Sequence, residues 1–414
     1  MIDQRSMLHV YWKRELVGRL WRTGRNQIHF SYDPSWVDAK KPMVSFSMPV
    51  REEAYQEEAQ SFFGNLLPEG DFRRKIEQIF KVSPDNDFSL IKEIGGDCAG
   101  ALSIGNHETN DEEAFYEVIS DDMLARIVKS EGVAGFGQAG QFNRLSLAGA
   151  QGKLPVRVRG QLIEIPHNGA ASTHILKFNH QTGEYPGLVE NEYYLNRVAH
   201  HLGLKVVNCH LMATPHGTIL AIERYDRTLD EWPERFHQED FCQALGYSYS
   251  NKYEKEGGPS FSECVKLVRV HLGILAVNSL MDWYLFNLFM GNSDAHGKNI
   301  SILHGQESRS LAPFYDLICT RAYERLDRKL AMACGRQFDP DLIGPDDLKV
   351  LAQETGVTLR FLRNRMQRIW ENISTAMDQA KRDLEGQGFD GKLIQQVEQT
   401  LPKIQRGLAK RLEL

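Results

Sequence analysis

The stretch GNSDAHGKN, Gly291–Asn299, places an aspartate, a histidine, a lysine and an asparagine close together, directly after the most apolar run of the chain. An aspartate followed five residues later by an asparagine suits phosphoryl transfer. A short loop then aims a proton acceptor and a magnesium ligand at the same phosphate. Asp294 and Asn299 have that spacing. A second magnesium ligand belongs on the next β pair, since two oxygens from different elements leave the ion open to phosphate oxygens and water. Asp316, beside Tyr315 in FYDL, stands there. His296 and Lys298, flanking Gly297, have no further histidine at helical spacing, so they read as phosphate neighbours or loop packing rather than metal ligands. Alone, the stretch is equally a turn rich in Gly, Asn and Asp; three matches in order outweigh that reading.

Phosphoryl transfer also needs a lysine on a strand to pair with the α- and β-phosphates. Lys177 in THILK follows an apolar run and precedes a helix carrying Glu190 and Glu192, of which Glu192 is the better partner to fix it. A lone lysine at a strand end is otherwise simply solvated. Earlier still, SLAGAQGKLPV offers a turn of small residues, Ala148, Gly149, Ala150, Gln151, Gly152 and Lys153, whose backbone N–H groups can face anionic oxygens. It matches neither Walker A nor the ordinary Gly-rich kinase pattern, and without the residues that follow it would be a plain hairpin.

The elements that must position these groups are legible in outline. Residues 7 to 50 alternate apolar and polar, the mark of a small antiparallel sheet. Helical periodicity follows through EEAYQEEAQSFFGNLL and DFRRKIEQIF, broken at Pro68 and Gly70, and SLIKEIGGDCAGALSI reads as a helix stopped by Gly95-Gly96 and followed by a strand. After the acidic linker ETNDEEAF, residues 140 to 225 show five or six strands and one helix. From Glu239 the pattern is helical except at KNISILH and LAPFYDLI, ending in amphipathic segments over 358 to 385 and 389 to 412.

At 414 residues with 42% hydrophobic residues, the chain can bury a large core in two or three domains. Its net charge of −6 gives no global field for a polyanion, so phosphate or nucleic-acid contacts must be local. Six widely spaced cysteines without a CxxC pair suggest neither zinc nor a disulfide framework, and fit a reducing cytoplasm. The charged N-terminus lacks the apolar core of a signal peptide. The run His271 to Met290 is interrupted by Asn278, Asp282 and Asn287 and is expected to be a buried helix rather than a membrane span.

LSLAGAQGK, THILKF, VENEYYLNRVAHHLGL, AIERYDR, YEKEGGP, GNSDAHGKN and LAPFYDL resemble, in order and spacing, the HipA family of bacterial serine/threonine kinase toxins; NLLPEG and SLIKEIGGDCAGAL look like that family's N-terminal subdomain. The resemblance covers the chain to about residue 335. It implies Asp294 as catalytic aspartate, Asn299 and Asp316 as Mg2+ ligands, His296 to Asn299 lining the nucleotide site, and Lys177 gripping the phosphates. Ala148 to Lys153 would cover ATP, and Glu223, Arg224 and Tyr225 would form the hinge whose backbone recognises adenine. Ser146 matches the family's autophosphorylated serine. Gly152 is a departure, since relatives commonly carry an acidic residue there. The resemblance further implies a small HipB-like helix-turn-helix antitoxin, a homodimer, an operator DNA complex, and a translation factor such as an aminoacyl-tRNA synthetase as phosphorylation target. In the helical tail, Lys381, Arg382, Arg406, Lys410 and Arg411 would either touch DNA in such a complex or form a solvated face.

The expectation is therefore an α+β, two-lobed protein-kinase-like fold. Residues 1–110 would form an added N-terminal β-rich subdomain, 111–225 the small lobe with the phosphate-covering loop, lysine and hinge, and 226–414 the mostly helical C-terminal lobe. Two competitors use the same residues differently. A small-molecule phosphotransferase needs a deep acceptor pocket where a protein kinase needs an open groove beside Asp294. A non-catalytic corepressor needs no ATP, which the presence of Lys177, Asp294, Asn299 and Asp316 argues against.

Overall fold

The alternation at the start of the chain becomes an antiparallel sheet. Strands β1 (Met7–Trp12), β2 (Glu15–Arg22), β3 (Ile28–Tyr32) and β4 (Leu102–Gly105) are ordered β3-β2-β1-β4. Every second residue (Leu8, Val10, Leu20, Ile28, Phe30, Ile104) turns into a core where it is almost wholly buried, as the two-residue period of a strand requires. The computed structural model describes residues 7–24, 27–84, 86–105, 113–136, 149, 151–305 and 308–414. It divides into two units: Met1–Gln181, Met212–Ser250 and Leu303–Ser308 in the first, and Thr182–Leu211, Asn251–Ile302 and Arg309–Leu414 in the second.

In the first unit, the helices Glu57–Gly64 and Gly70–Phe80 are separated at Pro68, and a third, Asp87–Ile94, ends at Gly95 as its sequence predicts. The latter two are joined by buried Arg73, which pairs with Glu77 one turn on and with Asp87, each at 2.7 Å. The second sheet contains β5 (Phe115–Val118), β6 (Lys153–Arg159), β7 (Leu162–His167), β8 (His174–Phe178), β9 (Cys209–Thr214) and β10 (Gly217–Glu223), ordered β5-β7-β6-β8-β10-β9. Arg159 opposite Leu162 leaves a two-residue turn between β6 and β7. Gly160 takes φ +61° there, the left-handed backbone such hairpins demand. The FNRLSL stretch, residues 142–147, expected as a strand, lies outside the described residues.

In the second unit the long apolar run forms one helix, Ile274–Met290, preceded by helix Phe261–His271 and set off from it at Gly273 with φ +83°. Beyond an exposed first turn, Ile274–Met290 is apolar on nearly every face and buried from Leu280 on at all but Asp282, which is the pattern of an internal helix. No helix of the described residues is long and apolar enough to cross a membrane. Helix Leu188–His201 lies along helix Leu359–Gly386. Asp383 receives both Arg197 Nε at 2.8 Å and His201 Nε2 at 2.7 Å, residues one turn apart on one face. The amphipathic tail ends in helix Gln395–Leu412.

Candidate active site

The loop carrying Asp294 begins where helix Ile274–Met290 ends. Gly291, at φ +63°, closes the helix by donating its N–H to the Asn287 and Leu288 carbonyls. A side chain there would meet Ile404 Cδ1 at 2.5 Å, so glycine is required twice over, for backbone and for space.

Each following residue is tied down. Asn292 donates to Asn287 Oδ1 at 2.8 Å and accepts the Asp294 N–H at 3.1 Å. Ser293 N–H donates to Thr320 Oγ1 at 2.8 Å, its hydroxyl donates to the Arg328 carbonyl at 3.0 Å, and its carbonyl accepts from Ala331 N–H at 2.8 Å. Asn299 Nδ2 donates to the Asp294 carbonyl at 2.9 Å, so the aspartate and asparagine five apart are braced against each other. With its nitrogen so engaged, the Asn299 amide has its oxygen left as a ligand atom. His296, Lys298 and Asn299 are buried, whereas the Asp294 side chain is 47% exposed. A fixed backbone with one open carboxylate suits a group that must meet a substrate from outside.

Tyr315 and Asp316 belong to the same construction. Tyr315 Oη donates to the Lys298 carbonyl at 2.8 Å and lies 2.7 Å from Ser301 Oγ. Asp316 adopts φ +58°, a left-handed conformation that costs most side chains energy, and its carbonyl accepts from Asn292 Nδ2 at 3.4 Å. Asn299 and Asp316 offer oxygen donors on separate elements, which fits a hard cation such as Mg2+ that retains water and phosphate ligands.

One residue of this site escaped the sequence. Tyr253, in YEKEGGP, donates its hydroxyl to Asp294 Oδ1 at 2.7 Å, and its ring meets His296 edge-on at 5.6 Å. Neighbouring Glu254 pins Tyr253's loop. Its N–H donates to the Ala331 carbonyl at 2.9 Å and its carboxylate accepts from Ala333 N–H at 2.7 Å, while burial pushes its carboxyl above the usual range. The segment 331–333 thus holds both the Tyr253 loop and, through Ser293, the Asp294 loop.

In the first unit, Lys153 on β6 and Lys177 on β8 are direct cross-strand partners. Two ammonium groups on one face of the sheet suit an anionic group such as a phosphate. The loop expected to cover phosphate is described only at Gly149 and from Gln151 on; Ser146, Ala148 and Ala150 lie outside the described residues. Gly149, at φ +106°, forms a parallel bridge to Pro68, and its carbonyl accepts from Glu69 N–H at 3.1 Å. Gln151 Nε2 donates to the Phe178 carbonyl at 3.2 Å, one residue past Lys177. At Gly152 a Cβ would fall 2.3 Å from the Glu131 carbonyl oxygen, so the acidic side chain expected from the resemblance has no room.

The residues expected to form the hinge continue β10, where Glu223 stands opposite His174. Arg224 donates its N–H to the Thr173 carbonyl at 2.9 Å, with its side chain turned into a buried ion cluster. Tyr225 Oη donates to Gln238 Oε1. Lys177 and the hinge are thus on adjacent strands of the first unit, while Asp294, His296, Gly297, Lys298, Asn299, Tyr315 and Asp316 belong to the second, as do the buried Glu190 and Glu192.

Comparison with known proteins places this geometry. Residues 145–381 match the HipA-like C-terminal domain and residues 8–105 the HipA N-terminal domain. The chain is 36% identical to the putative kinase Y4mE of Sinorhizobium fredii, over 91% of this chain and 92% of that protein. It is 31% identical to the serine/threonine-protein kinase toxin HipA of Shewanella oneidensis, over 84% of this chain and 83% of that protein. Its fold matches the structure of the Shewanella oneidensis HipA, HipB and operator DNA complex with a TM-score of 0.85 and 27% identity, covering 98% of both chains.

Proposed function

We propose, from the premise that this chain belongs to the HipA family, that it is an ATP- and Mg2+-dependent serine/threonine protein kinase acting as the toxin of a toxin-antitoxin pair. The observation that carries this reading is the braced loop in which Asp294 alone opens to solvent, with the oxygens of Asn299 and Asp316 as ligand atoms. Asp294 takes the proton of a substrate hydroxyl at Oδ2, the oxygen to which Tyr253 does not donate. Lys153 and Lys177 hold the phosphates, and the backbone of Glu223 to Tyr225 binds the adenine edge. Asn299 and Asp316 would hold a magnesium ion, whose charge would offset that of the phosphates.

The finer assignments follow the family. The division of labour is 1–110 as N-terminal subdomain, 111–225 as small lobe and 226–414 as helical lobe. The target is a translation-related protein, an aminoacyl-tRNA synthetase; Ser146 is the autophosphorylation site; and the partner is a dimeric HipB-like antitoxin that brings the chain to operator DNA. A relative solved with HipB and its operator supports the last of these.

Incubation with labelled ATP and Mg2+, alone and with cell lysate, tests the reading. The expected result is label on this chain at Ser146 and on one dominant lysate protein. Absence of transfer by wild type under all magnesium concentrations, with ATP neither bound nor consumed, overturns it.

A further inference from the structure

A buried charge cluster of the first unit has side chains that the mechanism above does not use. Asp97, from the GGDCAG turn after helix Asp87–Ile94, is essentially inaccessible to solvent. Its Oδ2 accepts from Ser172 N–H at 3.0 Å and Ser172 Oγ at 2.6 Å, and lies 3.4 Å from Arg224 Nη1. Its Oδ1 pairs with Arg227 Nη2 at 2.9 Å and Arg235 Nη2 at 3.1 Å. Asp226 completes the cluster, taking Arg224 at 2.8 Å and Arg227 at 3.0 Å and accepting the Gly100 N–H at 2.7 Å. The turn's backbone joins in: the Cys98 carbonyl accepts from Arg224 at 2.9 Å and Arg227 at 2.8 Å, and the Gly100 carbonyl from Arg227 at 2.9 Å.

Buried charges of this kind are tolerable only when each is paired, and the pairing has a direction. Arg224 and Arg227 come from ERYDR, which begins at the last residue of β10 and contains the hinge; Arg224 is gripped by Asp226 at 3.0 and 2.8 Å and reaches Asp97 through Ser172, while Arg227 pairs with Asp97 directly and both donate to the Cys98 carbonyl. Burial alone would raise the Asp97 carboxyl, yet the guanidinium groups of Arg227, Arg224 and Arg235 hold it well below the ordinary carboxylate range. Ser172 bridges the halves, since its hydroxyl donates to Asp97 and accepts from Arg224 at 2.9 Å. Next to it, the Thr173 carbonyl accepts the Arg224 N–H, the main-chain bond that sets the hinge beside β8.

We infer that Asp97 is a positioning residue for nucleotide recognition: from the N-terminal segment it fixes, through Ser172 and Arg224, the backbone of Glu223 to Tyr225 that reads the adenine edge. The inference rests on the kinase reading above. It assigns the N-terminal segment a part in choosing the nucleotide, because hydrogen bonds to a base edge discriminate only while the backbone donors and acceptors keep their places.

Two full-length variants test it. Asp97→Asn is the direct one but leaves three arginines facing a single carboxylate and endangers the fold. Ser172→Ala keeps every charge and removes only the bridging hydroxyl, so it decides. Affinities for Mg·ATP and Mg·GTP are measured by calorimetry on variants whose melting confirms the folded state. Ser172→Ala is expected to weaken ATP binding about five- to tenfold with GTP binding little changed, so that the ATP-over-GTP preference falls; a folded Asp97→Asn does the same more strongly. An unchanged preference in folded Ser172→Ala, whether both affinities hold or both fall in proportion, overturns the inference. Failure of wild type to bind ATP at all would instead overturn the kinase reading.

Discussion

The hydroxyl of Tyr253 donates to Oδ1 of Asp294 at 2.7 Å, across a gap of 41 residues in sequence. A single donor on one carboxylate oxygen orients the other. Tyr253→Phe keeps the ring against His296 and removes only that donor. Since a hydrogen bond to a charged group contributes roughly 1.5–3 kcal/mol, kcat should fall about ten- to a hundredfold while the KM for ATP stays within about twofold. A Phe variant with wild-type kcat would show that the tyrosine only packs.

Asp294→Ala removes the proposed proton acceptor while leaving the backbone braces of its loop, because its carbonyl rather than its side chain receives Asn299. Phosphorylation and growth arrest should drop by roughly 10²–10⁴-fold with ATP binding retained. Near-normal transfer would remove Asp294 from its assigned role.

Asp316 occupies a left-handed conformation that asparagine shares more readily than alanine. Asp316→Asn therefore tests the carboxylate without straining the chain. Nucleotide affinity should weaken and require higher magnesium to saturate; coincident magnesium titrations for variant and wild type would show that Asp316 binds no metal.

Lys177 stands opposite Lys153 across β6 and β8 and is assigned to the phosphates. Lys177→Met should lose most of the rise in melting temperature that ATP gives wild type. A full ATP-induced shift in the variant would place the phosphates elsewhere.

His237 carries a pH dependence. It is buried, its Nε2 lies 2.7 Å from the Val44 carbonyl, and its ring packs against Trp12 at 4.4 Å and His304 at 5.2 Å. Burial first, and His304 second, lower its pKa from 6.5 to about 4. Above pH 6.5 both folded and unfolded chains hold it neutral. As pH falls below 6.5 the unfolded chain takes a proton that the native ring refuses, so stability declines until about pH 4, by up to roughly 3 kcal/mol. His237→Gln, which retains a donor for Val44, should flatten the melting temperature over that window; an unaltered slope would exclude His237 as the source.

The sequence was most informative where chemistry depends on local spacing. Asp294, Asn299 and the break at Pro68 and Gly70 need only a few neighbouring residues to be recognised, and the helix stop at Gly95 is one residue's property. Tyr253 and Asp97 had no such signal. Their partners lie 41 and more than 70 residues away, and a tyrosine before a glutamate, or an aspartate after two glycines, looks like any loop. The apolar run was legible as an internal helix, and only its start, at Ile274 after Gly273 rather than at His271, needed the backbone angle. Gly152 could be noted as a departure, but its cause, the Glu131 carbonyl, is a contact between segments that spacing cannot encode.

The dry knot of Asp97, Arg224, Asp226 and Arg227 also constrains heredity. Its members are encoded at two places in the gene roughly 130 codons apart, and a lone change at either leaves an unmatched ion in the interior. Joining the front of one such gene to the back of another should therefore favour parents that spell compatible versions of GGDCAG and ERYDR.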